Sequence, residues 1–492
     1  MPETTVVSPP PTTAPSAPPS APEGRGPSKS VRWGLVILAA IAVMLAPRPE
    51  GIEPQQWRLV AIFAATMVGL ITQPLPGGAI VLLGVAATTV LGVLTPAQAL
   101  AGYADPLVWM VLSAFMIARG MIKTGLGRRI ALRFVRVMGH TSLGLAYALA
   151  FTDGILATVI PSNSARAGGI LFPLTKSISE SYNSRPGPTA ALLGAFLIPL
   201  VYQIDVLMCA MFLTGQVANP MIAGFSLEST GVEITYGTWL LGSIVPGILS
   251  FAMMPLLVYR LFPPTIRKTP DAAAYAHREL EAMGPISRKE IVMLAVFLLV
   301  FTLWLTRRWH PLDYPVVALL GLSALMLTGV LDWEDVRSDK GAWDVFIWYG
   351  GLVQLARALT ETGVTTWFAE TMGGVMGGVS WPIALAGLLL VYFYAHYVFA
   401  SITAHATAMY IPFLLVAIAA GAPPLLTALV LIYSSNLCAC LTHYGTTPAP
   451  IYYGSNYVTQ GRWWKIGFLI SVQHILIWGI AGAIWWKLLG WW

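Results

Sequence analysis

Apolar runs of membrane-spanning length, separated by short Gly, Pro and charged breaks, fill nearly all of the chain after residue 30. The pattern predicts helical segments near 33–48, 56–72, 78–95, 106–123, 143–160, 188–204, 205–225 and 238–260. A charged stretch intervenes, followed by 290–306, 313–331, 343–361, 381–399, 406–420, 424–441 and 466–489. Several of these are too short for a full crossing. A run that stops at a Gly, Pro or polar triplet inside a bilayer must be buried in protein or line an aqueous cavity.

A repeat organises these runs. Ser162, Ala165, Ala167 and Pro173 match Ser401, Ala404, Ala406 and Pro412 at one offset of 239 (401 minus 162), placing Asn163 opposite Ile402 and Arg166 opposite His405. Upstream, Thr124, Gly125, Met138, Gly139 and Ser142 align with Thr362, Gly363, Met376, Gly377 and Ser380, and Gly92-Val93-Leu94 with Gly329-Val330-Leu331. The expected organisation is a tail at 1–30, a first repeat at 31–265, a linker at 266–288 and a second repeat at 289–492. Two homologous halves of this kind characterise secondary transporters.

Each half has a second polar break, Phe212 to Pro220 in the first and Leu441 to Pro450 in the second. Gly lets the backbone leave helical geometry, and Pro keeps the preceding turn from re-forming. Four breaks, two per half, would converge near the bilayer midplane around one small solute.

Composition agrees, with 56% hydrophobic and 10% charged residues and a mean hydropathy of +0.71. The fold class is therefore an all-α polytopic membrane protein. Residues 1–30 are Pro, Ser and Thr rich, expected to be disordered, and unlike a secretory signal. Lys29 and Arg32, the cluster from Arg119 to Arg136, and the linker basics from Arg260 to Lys289 place the N-terminus in the cytoplasm by the positive-inside rule. The net charge of +6 then reflects membrane orientation, and no nucleic-acid partner is expected. Cys209, Cys438 and Cys440 lack ligand spacing, which argues against a metal site. The C-terminal Trp463, Trp464, Trp485, Trp486, Trp491 and Trp492 are expected to meet lipid headgroups.

Ser162-Asn163-Ser164, Ser401-Ile402-Thr403, their continuations Ala165-Arg166-Ala167-Gly168-Gly169 and Ala404-His405-Ala406-Thr407-Ala408-Met409, and Thr442-His443-Tyr444-Gly445-Thr446 carry a family resemblance. The chain resembles the divalent-anion/sodium symporter family, and within it the bacterial citrate/succinate and plant 2-oxoglutarate/malate translocator branch. The resemblance implies a homodimer, each protomer having a scaffold part and an elevator-type transport part with two re-entrant hairpins. It implies that Ser162, Asn163, Ser164, Ser401 and Thr403 hold the carboxylates of a di- or tricarboxylate, with Gly215, Gly445, Thr446 and Thr447 contributing from the later breaks. Half-helix N-termini suit that task, because their free N–H groups and positive dipole ends attract anions. No cofactor is expected other than sodium, which the resemblance places near Asn163 and Gly215.

Ile402 replaces the family's second asparagine and offers no oxygen to a hard cation. Arg166 and His405 would take over that role, and as counter-charges they would face the substrate; the alternatives are an Arg166–Asp153 pair and a neutral His405 locking its hairpin. Fixed cations in the site favour obligatory dicarboxylate exchange, with sodium-coupled symport as the alternative and a channel or a membrane enzyme more distant. No Ser/His/Asp order, His-Glu-x-x-His pattern or phosphate-cradling loop supports an enzyme.

Overall fold

A computed structural model describes residues 28–375 and 378–492. The expected tail lies outside the described residues up to position 27, and a helix already begins at Lys29, capped by Ser28. The described residues are helical throughout, with one isolated β-bridge between Thr141 and Lys268. Six of their helices are long and apolar enough to cross a membrane.

Successive elements of the two halves correspond, with helices Lys29–Leu45 and Pro270–Ala282 outside the correspondence. Short helices Pro96–Leu100 and Trp333–Ser338 each start with a capping box, Thr95 with Gln98 and Asp332 with Asp335. The turns before them use Gly92 at φ 65° and Gly329 at φ 70°, a left-handed conformation that favours glycine. Long helices Pro106–Thr124 and Lys340–Glu361 follow, with N-caps Asp105 and Asp339. Arg119 reaches Asp339 at 3.8 Å, while Arg357 reaches Asp105 at 2.8 Å. The C-terminal part of each helix thus meets the start of the other, so the two run antiparallel and the repeats are inverted.

The core is organised on helix Gly194–Met211, every residue of which is buried. Sequence pattern divides this region at 204/205, but the helix runs through Asp205 and the chain breaks at 212–217 instead. Asp205 is tolerated mid-helix because its carboxylate is paired with Arg166. Around this helix pack the helical hairpin formed by Ser142–Ala157 and Phe172–Ser181, helix Pro424–Leu437, and the long helices Tyr236–Leu261 and Gln460–Leu476. The linker carries helix Pro270–Ala282, whose Glu279 pairs with Arg128, while Arg129 is held by Glu290 at 2.5 Å and by the carbonyls of Gly284 and Met283.

Candidate functional site

The first hairpin enters along Ser142–Ala157 and leaves along Ser164–Ser181, which opens as a π-helix over Ser164–Leu171. The second enters along Trp381–Ala395 and leaves along Ile402–Ala419. Both outgoing arms start the same way. Ser162 Oγ accepts from the Ala165 N–H at 3.2 Å and Ser401 Oγ from that of Ala404 at 3.5 Å. The carbonyls of Ser162 and Ser401 accept from the amides of Arg166 and His405. A serine cap satisfies only part of a helix's first-turn donors, so both tips keep N–H groups for a ligand.

The tips are stitched to the breaks. Thr214 Oγ1 donates to the carbonyls of Ala157 and Thr158 at 2.8 Å each, tying the first tip to the first break. Asn163 Nδ2 donates to Thr446 Oγ1 at 2.9 Å, joining the first tip to the second break across 283 residues. Ser162, Ser164, Ser401 and Thr403 are half-buried, Asn163, Thr446, Gly215 and Gly445 are buried, and Thr447 is exposed. The hydroxyls of Ser164, Thr403 and Thr447 make no hydrogen bond among the described residues and are available to a ligand. Gly215 is required sterically: a Cβ there would lie 2.6 Å from Cys209 Cα and 2.7 Å from the Met208 carbonyl oxygen.

Arg166 does not face a substrate. It is fully buried, its Nε 2.9 Å from Asp153 Oδ1 and its Nη2 2.8 Å from Asp205 Oδ1. Nη1 donates to the carbonyls of Ile160, at 2.9 Å, and of Gly215. Paired with Asp205 as well as Asp153, the guanidinium braces the incoming arm, the tip, the central helix and the first break together. His405 is likewise sealed, its ring 4.4 Å from that of Tyr392 and 5.0 Å from that of Phe399. The expectation that these two side chains meet the substrate is corrected: ion pairs hold Arg166 within its own half, and aromatic rings enclose His405.

The pseudo-symmetry nevertheless holds. Tyr392 stands where Asp153 stands (392 minus 153 is 239), and Ser435 where Asp205 stands (435 minus 205 is 230). Tyr392 and Ser435 share a hydrogen bond of 2.7 Å between their hydroxyls. Gly445 corresponds to Gly215 at the same offset of 230, and its carbonyl is held by His396 Nε2 at 2.9 Å. One half thus uses an ionic brace and the other a neutral one.

An amide cluster joins the halves below the tips. Asn436 Nδ2 donates to Asn219 Oδ1 at 2.9 Å, Gln216 Nε2 donates to Asn436 Oδ1, and Asn219 Nδ2 binds the Cys209 and Phe212 carbonyls. Sequence reading passed over these three; their signal is amide side chains inside apolar runs, where each needs a partner. Above the first tip, a cavity of about 470 Å³ is lined by Ser162, Ala165, Arg119, Lys123, Asp335 and Asp339. Burial pushes the Asp335 carboxyl up, but its hydrogen bond to Lys123 and its other donors outweigh this and hold it below the usual carboxylate range.

The sequence pattern of the sodium:sulfate symporter transmembrane region matches residues 28–492. The chain belongs to this family. Among members of the sodium:sulfate symporter family, it is 44% identical over 463 residues to the chloroplastic dicarboxylate transporter 1 of Arabidopsis thaliana, covering 93% of this chain and 83% of that protein. It is 33% identical over 482 residues to an L-tartrate/succinate antiporter of Escherichia coli, covering 93% and 98%. The solved Alcanivorax borkumensis YdaH transporter shares the fold at a TM-score of 0.55 and 12% identity, over 94% of this chain and 97% of that one.

The Gly215 carbonyl, near which sodium is expected, accepts from the Arg166 guanidinium and from Cys209 Sγ at 3.4 Å.

Proposed function

We propose that the protein is a secondary transporter that exchanges dicarboxylates across the inner membrane without sodium. The observation that carries this reading is Arg166 Nη1, which draws together a tip carbonyl, Ile160, and a break carbonyl, Gly215. A bound sodium assembles a site by gathering such oxygens; a tethered guanidinium gathers them permanently, with no ion to collect or release. The anion then rests on free N–H groups at the two tips and on the hydroxyls of Ser162, Ser164, Ser401, Thr403, Thr446 and Thr447. Empty, those partial positive charges stay uncompensated in a low-dielectric barrier; loaded, they are neutralised, which favours crossing with substrate in both directions. The antiporter named among the relatives supports exchange, and the dicarboxylate transporter supports the substrate class.

The same reading places the Arg119, Lys123 and Arg128–Arg136 cluster and the N-terminus in the cytoplasm, with the cavity above Ser162 opening inward, in a homodimer embedded in lipid. Sodium-coupled symport keeps one supporting feature, Asn163 Oδ1, which no described residue engages. Counterflow in proteoliposomes separates the two. Labelled dicarboxylate uptake is expected to require internal dicarboxylate and to survive replacement of sodium by choline. Uptake into empty vesicles that vanishes without sodium would establish symport instead.

A further inference from the structure

The second hairpin and the helix packed on it hold a group of side chains that the proposed anion site does not include. His396 closes the incoming arm, His405 lies in the first turn of the outgoing arm, and Cys438 follows helix Pro424–Leu437 into the second break. One ring nitrogen of each histidine and Cys438 Sγ lie within 4.8 Å of one another, and all three residues are buried. Cys438 Sγ is 3.6 Å from His405 Nδ1. His396 Nε2 is 2.9 Å from the Gly445 carbonyl oxygen, which can only accept, so Nε2 carries the proton and Nδ1 presents a lone pair. That buried Nδ1 has no partner, and neither has His405 Nε2. An imidazole oriented through one nitrogen by a backbone carbonyl, with the other bare, is how metal-ligating histidines are prepared.

We propose that His396, His405 and Cys438 bind a thiophilic d10 cation, with Cu(I) the preferred ion. Metal–ligand bonds of about 2.0–2.3 Å need donors about 3.5 Å apart, so the side chains close by about 1 Å. Cu(I) accepts three soft ligands and is neutral overall with one thiolate, which suits an aromatic, low-dielectric surround. Zn²⁺ would keep a net charge and lack its fourth ligand. On binding, the metal–sulfur bond forms as the thiol S–H bond breaks; the proton leaves to solvent and no oxidation state changes. The ligands come from both arms and from the helix entering the break, so the bound ion clamps the hairpin shut and stops transport. Cysteine spacing argues against such a site; folding supplies it from residues up to 42 positions apart (438 minus 396).

The test loads purified full-length protein with one equivalent of Cu(I), or separately Zn(II), desalts it and counts metal per chain. The unaltered protein and its Cys209→Ser and Cys440→Ser variants are expected to retain one Cu(I), while Cys438→Ser and His396→Gln, each lacking a direct ligand, bind at least about a hundredfold more weakly, beyond the loss typical of an outer-shell partner. X-ray absorption at the copper edge of the unaltered protein, which needs no variant to fold, is expected to show one sulfur and two nitrogen neighbours. Equal retention by Cys438→Ser, a copper shell without sulfur, preferential retention of Zn(II), or no retention by the unaltered protein overturns the proposal. In proteoliposomes, Cu(I) is expected to block transport and a Cu(I) chelator to restore it, and retention of the metal without any block would reject the clamp. The retention and absorption measurements stand whatever the transported anion or coupling.

Discussion

Replacing Arg166 by glutamine is expected to damage the fold far more than the affinity for substrate. The guanidinium is fully buried between Asp153 and Asp205, and it also serves the carbonyls of Ile160 and Gly215. Glutamine is too short to reach all four, so two carboxylates would face each other with no cation. Removing one partner of a buried ion pair costs about 3–5 kcal/mol. That is roughly a hundred- to several-thousandfold in the unfolding equilibrium. Unfolding of the purified protein by SDS in mixed micelles, followed by tryptophan fluorescence, measures the shift. The double variant Arg166→Gln/Asp205→Asn should be less damaged than the sum of its parts, with a coupling of about 0.5–3 kcal/mol. If Arg166→Gln instead unfolds at the original SDS concentration while losing substrate affinity, the guanidinium serves the ligand and the brace is a misreading.

Thr403→Ala removes a half-buried hydroxyl that makes no hydrogen bond among the described residues, so it should weaken dicarboxylate binding by about 1.5–3 kcal/mol, read as substrate dissociation constant, with no change in the SDS midpoint; unchanged affinity would remove Thr403 from the site. Asp335 titrates below its usual range when folded, so the stability it lends is complete above the unfolded value of about 3.9 and disappears as pH falls through the lower folded value. The amide-exchange protection of Trp333–Ser338, measured relative to the unfolded chain at each pH, should therefore fall below about pH 4, and the same profile in Lys123→Gln would contradict the role given to Lys123.

The repeat was legible because its markers are local: serines that cap, glycines that turn and prolines that follow at fixed spacing. The outgoing arm of the first hairpin, Ser164–Ser181, escaped the hydropathy pattern because Arg166, Lys176 and Glu180 interrupt it. Arg166 was readable as a buried cation needing a partner, but Asp205 and the Gly215 carbonyl lie 39 and 49 residues away, beyond any sequence window. The correspondence of Asp153 with Tyr392 and of Asp205 with Ser435 was hidden because the chemistry changed while the position did not. The Gln216–Asn219–Asn436 cluster and the His396–His405–Cys438 group likewise exist only once separate segments are packed together.

The crossed pairs Arg119–Asp339 and Arg357–Asp105 bear on how the chain is made. Asp105 and Glu228 are synthesised long before Arg357, which binds both at 2.8 and 2.7 Å. A nascent first half therefore leaves the translocon with two carboxylates waiting for a cation that belongs to the second half, and Arg119 and Lys123 wait for Asp332, Asp335 and Asp339 at the other end. Neither half can finish its own charged end alone. Biogenesis thereby ends in late, mutual docking of the two repeats, and a ribosome stalled before residue 357 would leave Asp105 and Glu228 without the cation that pairs with both.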